Sequence, residues 1–251
     1  MPIAIVFPGS RTGPEDELKA RIDQLVRGIP CASVTAWHEG RFGRTGNAHQ
    51  RQGMMGYFAS VYSLLAPAFE LVMRPLREQQ SGAASGQTLV IGAGTGLDVA
   101  PLLDRGITPD LLEPDPTLAA GLRRRYPGLQ VWEAAAEDIP APDERYDTVL
   151  ATLVLCSVSR PRDVLREVER VLKPGGRFLF TEHVVHEDGH IGRYLQQGLE
   201  PVWRPLAGGC RLTRHPACYV DATDLVIDHL EPVRQGLLLP IVQGAFYKAG
   251  A

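Results

Sequence analysis

Three glycines at alternate positions, Gly92, Gly94 and Gly96, stand between an apolar run ending at Ile91 and a stretch opening Leu97-Asp98-Val99. Backbone without side chains can turn sharply there and lie close to a ligand, and the N–H groups of a following helix start are free to bind it. The G-x-G-x-G spacing departs from the G-x-G-x-x-G of dinucleotide-binding turns, whose third glycine would fall at Leu97. Seventeen residues beyond Gly96 comes Glu113, closing another short apolar run. Its two carboxylate oxygens match the paired hydroxyls of a cis-diol such as ribose. Loop and acid together point to a ligand with a nucleoside half.

A second group of residues could act on whatever binds. His183 is expected at the carboxyl end of a strand, where open α/β sheets hold ligands, and is a candidate base. Glu182, its neighbour, would face the opposite side of that strand. Tyr57, Phe58 and Tyr62 precede the core and, with Trp203, can wall an aromatic pocket suited to an apolar or cationic small substrate; Tyr62 is a second catalytic candidate. Cys156, after an apolar run, reads as a small buried residue. Cys210, in Gly208–Arg214, either lines a substrate pocket or packs, and Arg214 pairs either with an anionic substrate or with a surface acid. His186 and His190 flank Glu187 and Asp188 on an acidic turn, which reads as solvated, and no metal site is expected.

Positioning these groups requires a regular alternation of strands and helices. Strand patterns cover Thr88–Ile91, Asp110–Leu112, Val131–Trp132, Thr148–Leu155 and Arg177–Thr181, with Leu225–Val233 and Ile241–Lys248 closing the series. Between them fall a short helix stopping near Gly106, a helix over Thr117–Tyr126, and one over Pro161–Leu172 before Pro174-Gly175-Gly176. Strands separated by helices imply right-handed crossovers and a mostly parallel sheet. Before this core, residues 49–86 read as a helical cap with a small-residue linker at Ser81–Gly86. Residues 1–48 read as an appended βα element, strand Ile3–Phe7 and helix Glu15–Arg27, and that strand could pair within the chain or across a dimer. Residues 87–251 form the core.

The chain has 251 residues, with 26 Lys and Arg against 29 Asp and Glu, for a formal net charge of −3. That near balance excludes a general nucleic-acid binder, and no run of about 18 apolar residues is present to span a bilayer. The four cysteines form no C-x-x-C pair, which removes the common zinc and thioredoxin signatures. A reduced, cytoplasmic protein acting on a small molecule is the resulting expectation.

The run Gly92-x-Gly94-x-Gly96, Leu112-Glu113-Pro114-Asp115-Pro116, Ala136-Glu137-Asp138-Ile139-Pro140, Tyr146-Asp147 and Leu172-Lys173-Pro174-Gly175-Gly176 resembles the class I S-adenosylmethionine-dependent methyltransferases. Within that class the chain is similar to the ubiquinone-biosynthesis type. It is closer to the small alkyl thiol methyltransferase group through Thr152–Val158, Glu182-His183-Val184, Leu199–Trp203 and Gly209–Arg214. The resemblance implies a Rossmann-like seven-stranded α/β sheet with a helical cap, and S-adenosylmethionine as cofactor. It would place Gly92, Ala93, Gly94 and Gly96 on the methionine part and Glu113 with Pro114 at the ribose. Leu118, Ala135, Ala136 and Glu137 would meet the adenine, and Thr152 and Leu153 the sulfonium. Acids that the family often carries are replaced here by Val90 and Ala135. Methyl transfer to a small thiol is the implied reaction. Attack at another carbon of the cofactor, or a cofactor-binding interaction module, are its rivals.

Overall fold

The computed structural model describes Cys31, residues 70–187 and residues 189–250. The extension expected over 1–48, apart from Cys31, and the cap as far as residue 69 lie outside the described residues, and with them Tyr57, Phe58 and Tyr62.

Seven strands make one sheet: β1 (Thr88–Ile91), β2 (Asp110–Leu112), β3 (Val131–Trp132), β4 (Tyr146–Thr152), β5 (Leu172–His183), β6 (Leu225–Arg234) and β7 (Ile241–Lys248). Their order across the sheet is β3-β2-β1-β4-β5-β7-β6. The first five run parallel, and β7 lies antiparallel to both β5 and β6. Leu89 and Ile91 pack into one apolar cluster and Val90 into another, because successive side chains of a strand point to opposite faces. Strands covered on both faces are largely apolar, and all four β1 residues, Thr88 included, are buried.

Helices α1 (Val99–Leu103), α2 (Pro116–Arg125), α3 (Pro161–Val171) and α4 (Ile191–Leu206) connect or flank the strands, with a 3-10 turn at Pro216–Ala222. Val164, Leu165, Val168 and Val171 of α3 are fully buried along one stripe, each worth about 1.5–3 kcal/mol in transfer from water. Asp115 starts α2 by accepting from the N–H groups of Thr117 and Leu118 at 2.8 and 3.0 Å. Helix α4 interrupts a region in which no element was expected. Its internal Pro201 and Pro205 hide it from the usual pattern, and Ile191, Tyr194, Val202 and Leu206 remain exposed along it.

Two boundaries differ from expectation for local reasons. Strand β4 stops at Thr152 because Leu153 turns into the left-handed region, at φ 58°. The Pro174-Gly175-Gly176 stretch, expected to be a turn, is carried within β5 as a bulge between the Tyr146–Leu172 and Thr148–Arg177 pairs. A helical stretch over 70–82 also runs into the expected linker.

The cysteines correct a further expectation. Cys31 and Cys218 are joined in a disulfide across 187 positions of sequence, a pairing that leaves no trace in local spacing. Cys156 and Cys210 are free and buried. No helix among the described residues is long and apolar enough to cross a membrane.

Candidate active site

The glycine loop leaves β1 and lies against the end of β2. Gly94 donates its N–H to Glu113 Oε2 at 2.8 Å, and Asp115 donates to Glu113 Oε1 at 2.9 Å. Burial pushes the Glu113 carboxyl above its ordinary value, and the two N–H donors oppose that rise. Each oxygen keeps a second lone pair, so the carboxylate can still receive a diol.

The three glycines do different work. A Cβ on Gly92 would sit 2.6 Å from Val154 Cγ2, and one on Gly96 would sit 2.8 Å from Tyr126 Cε2. Those two glycines allow close packing. A Cβ on Gly94 would meet only the Gly92 carbonyl oxygen, at 3.8 Å, so this glycine keeps open space above the loop. That space is a small cleft whose walls include Arg77, Thr95, Asp98 and Thr152.

Arg77 and Asp98 were not anticipated. Arg77 Nη1 lies 2.6 Å from Asp98 Oδ2, and both side chains are buried. A cation and an anion on one cleft wall match the two charges of an amino-acid moiety. Asp98 thus supplies an acid from the helix side of the loop, whereas Val90, where the family often has one, is wholly buried in the core. Thr152 Oγ1 donates to Asp98 Oδ1 at 3.1 Å and lies 3.3 Å from Gln80 Oε1. Gln80 in turn donates to the carbonyls of Ala151 and Leu179, both at 3.0 Å, which fastens the 70–82 helix across β4 and β5. The residues present fit S-adenosylmethionine: the space above Gly94 admits a ligand, and Thr95 Oγ1 is buried with no hydrogen-bond partner among the described residues.

Other expected contacts are more scattered. Pro114 and Ala135 are exposed, Leu118 is half-buried and Ala136 belongs to the core. Glu137 accepts from the N–H groups of Ser159 and Arg160, at 2.9 and 3.1 Å, so its carboxylate steadies the approach to α3.

Beyond Thr152, the loop 153–158 is held from both sides. The buried Glu182 carboxylate accepts from the N–H groups of Val154, Leu155 and Cys156 at 2.6, 2.7 and 3.3 Å. Burial raises its pKa and is opposed by the charge of His183 and by these N–H donors. Arg214 is neither a surface ion-pair partner nor open to an anionic substrate in this structure. It is buried, and its Nη1 donates to the carbonyls of Leu155, Cys156 and Val158 at 2.9, 3.2 and 2.6 Å.

Next to that loop the structure gathers His183, Cys210, Cys156 and Trp203. His183 Nε2 lies 2.7 Å from Cys210 Sγ, and the Trp203 indole N–H donates to the same sulfur at 3.2 Å. His183 Nδ1 is buried without a partner among the described residues. Contact with Cys210 first, then burial and the charges of Cys210 and Glu182, push the Cys156 thiol far up. For His183, burial alone would lower the pKa, but contact with the Cys156 sulfur and the Glu182 and Glu200 charges carry it upward. On the turn that follows, His190 is exposed and His186 half-buried; their rings stack at 4.0 Å, and His186 Nε2 reaches the Gly236 and Leu237 carbonyls at 2.9 and 3.0 Å.

Residues 89–180 match a family model described as a methyltransferase domain. The human thiol S-methyltransferase TMT1B is 37% identical over 175 residues, which cover 63% of this chain and 70% of that protein. Its rat counterpart is 53% identical over 72 residues, and there the match spans only 30% of the relative's length. Among solved structures, an S-adenosylmethionine-dependent methyltransferase from Thermotoga maritima has the same fold, with a TM-score of 0.56 at 21% identity over 77% of this chain and 99% of that one. With the glycine loop, Glu113 and the seven-stranded sheet in their places, the chain belongs to the class I S-adenosylmethionine-dependent methyltransferases.

Proposed function

We propose that this enzyme methylates the sulfur of a small thiol. The observation that carries the reading is the similarity, at 37% identity over 175 residues, to a protein named for that reaction. When bound, S-adenosylmethionine supplies a methyl group on a sulfonium that departs as a neutral thioether. The leaving group therefore needs no acid, and the protein's task is to orient the acceptor and keep water out. A thiol with a pKa near ~8.5 is already partly ionised at neutral pH, so this acceptor asks least of a base. That suits a site whose one candidate base among the described residues, His183, has a ring nitrogen turned to Cys210.

In this reading Arg77, Asp98 and the glycine loop hold the amino-acid end of the cofactor, Glu113 holds the ribose, and Thr152 and Leu153 border the reacting methyl. Incubation with S-adenosylmethionine and matched short-chain thiols and amines, followed by mass spectrometry, tests it. The expected products are S-adenosylhomocysteine and a methyl thioether, at a rate at least tenfold above that with the amines. Methylthioadenosine as product would replace methyl transfer by attack at another carbon. Cofactor binding without turnover would replace it by an interaction module. Glu113→Ala should weaken cofactor binding by tenfold or more in calorimetry.

A further inference from the structure

Cys156, His183 and Cys210 each place one ligand-capable atom within 4.8 Å of the others', and all three are buried. They come from three different segments: the loop after β4, the last residue of β5, and the turn after α4. We propose that they form a binding site for a soft divalent cation of the zinc class, with two thiolates and one imidazole as ligands.

The chemistry of the donors selects the metal. Thiolate and imidazole ligands favour zinc-like ions over the oxygen-seeking magnesium and calcium. The ligands converge without a cation: His183 Nε2 lies 2.7 Å from Cys210 Sγ. Donor atoms around a tetrahedral zinc stand roughly 3.5–4 Å apart, given bonds of about 2.0–2.3 Å, so a cation would open this contact by about 1 Å. The surroundings are also those of a supported site. Cys156 is fixed through its backbone, with its N–H on Glu182 and its carbonyl on the Arg211 N–H and the Arg214 guanidinium. The Trp203 indole N–H donates to Cys210 Sγ, a contact that favours the thiolate. Two thiolates would balance the charge of a divalent ion, which disposes of the cost of burying either alone.

Three protein ligands with a fourth position left for another donor is the ligand count of catalytic zinc centres rather than structural ones. His183 is then a ligand, in place of the proton acceptor that the sequence suggests.

Cobalt(II) serves as the probe, because thiolate bonds to it give an intense near-ultraviolet charge-transfer band. Titration of the purified full chain under anaerobic conditions should produce that band, saturating near one equivalent, and zinc should abolish it. Cys156→Ser and Cys210→Ser should each remove about half of the band. His183→Gln should leave both thiolate bonds and weaken cobalt affinity by roughly tenfold or more. S-adenosylmethionine binding by calorimetry, run on every variant, establishes that each remains folded. Folded wild-type protein that gives no thiolate band overturns the proposal. So does a band that keeps its full intensity in both serine variants, or a Cys156–Cys210 disulfide found in place of metal. None of these outcomes bears on whether a thiol is the methyl acceptor, which the product analysis decides separately.

Discussion

Glu182 and Arg214 grip the same loop by its two kinds of backbone group. The carboxylate takes the N–H groups of Val154, Leu155 and Cys156, and the guanidinium takes the carbonyls of Leu155, Cys156 and Val158. The two buried charges do not need to touch, because the peptide groups between them satisfy both. This clamp forms where Leu153 holds a positive φ, a conformation that costs a leucine energy and persists only when its neighbours impose it.

Glu182→Gln turns an amide N–H₂ toward backbone donors, and Arg214→Met leaves carbonyls unmet. Each should cost about 2–4 kcal/mol in urea unfolding, since buried polar groups lose their partners. The double variant should cost less than the sum, with a coupling of about 0.5–3 kcal/mol. Strict additivity would mean that the two residues do not share the loop.

His215 gives a pH signature. It is fully buried, and burial lowers its pKa from 6.5 to about 3. A base depressed in the folded state adds stability that is present above pH 6.5 and is lost as pH falls from there toward about 3. Its share of that slope approaches about 1.4 kcal/mol per pH unit within the window. His215 Nδ1 accepts from the Ala217 N–H at the start of the 3-10 turn, a task asparagine performs equally well. Stability curves of the wild type and His215→Asn should therefore run together above pH 6.5 and separate as pH drops below it, the wild type falling further. Parallel curves would show that His215 is charged in the folded protein.

The glycine loop should separate affinity from stability. Gly94→Ala meets no side chain, so only its φ of 56° is penalised, at about 1 kcal/mol, while the methyl group intrudes on the cleft. Cofactor affinity should drop by tenfold or more with little change in Tm. Gly96→Ala, which forces a Cβ against Tyr126 and Leu122, should lower stability by about 2–4 kcal/mol. Equal effects of the two on both quantities would refute this division of labour.

The cysteine pairing is open to direct chemical reading. Iodoacetamide labelling of the denatured, unreduced chain should modify Cys156 and Cys210 and leave Cys31 and Cys218 in one cross-linked peptide. Four labelled cysteines would contradict it.

Much of the sheet was legible because its signals are local. Strands β1, β2, β3 and β7 have the bounds that their local patterns predict, and the α3 stripe repeats at helical spacing. The glycine loop and Glu113 could be found for the same reason, since their roles depend on position along one strand–turn–helix unit. The rest of the site joins residues far apart in sequence: Arg77 with Asp98, Glu182 with residues 154–156, His183 with Cys210. Spacing carries no trace of such contacts, and only the acid at Asp98, two residues past the last loop glycine, offered a local hint. Arg214 and Trp203 were noticed as residue types. Their partners, three carbonyls and a thiol, could come only from the fold.

The order β5-β7-β6 also governs how the protein can be made. The last strand in sequence enters between its two predecessors, so it cannot simply be added at an edge. On the ribosome, β5 waits with one side bare and β6 has no neighbour until residues 241–248 emerge. A chain cut or stalled before Ile241 would present that bare side to other chains, the usual start of edge-to-edge aggregation. Completing synthesis and protecting the molecule from its own copies are, for this topology, one event.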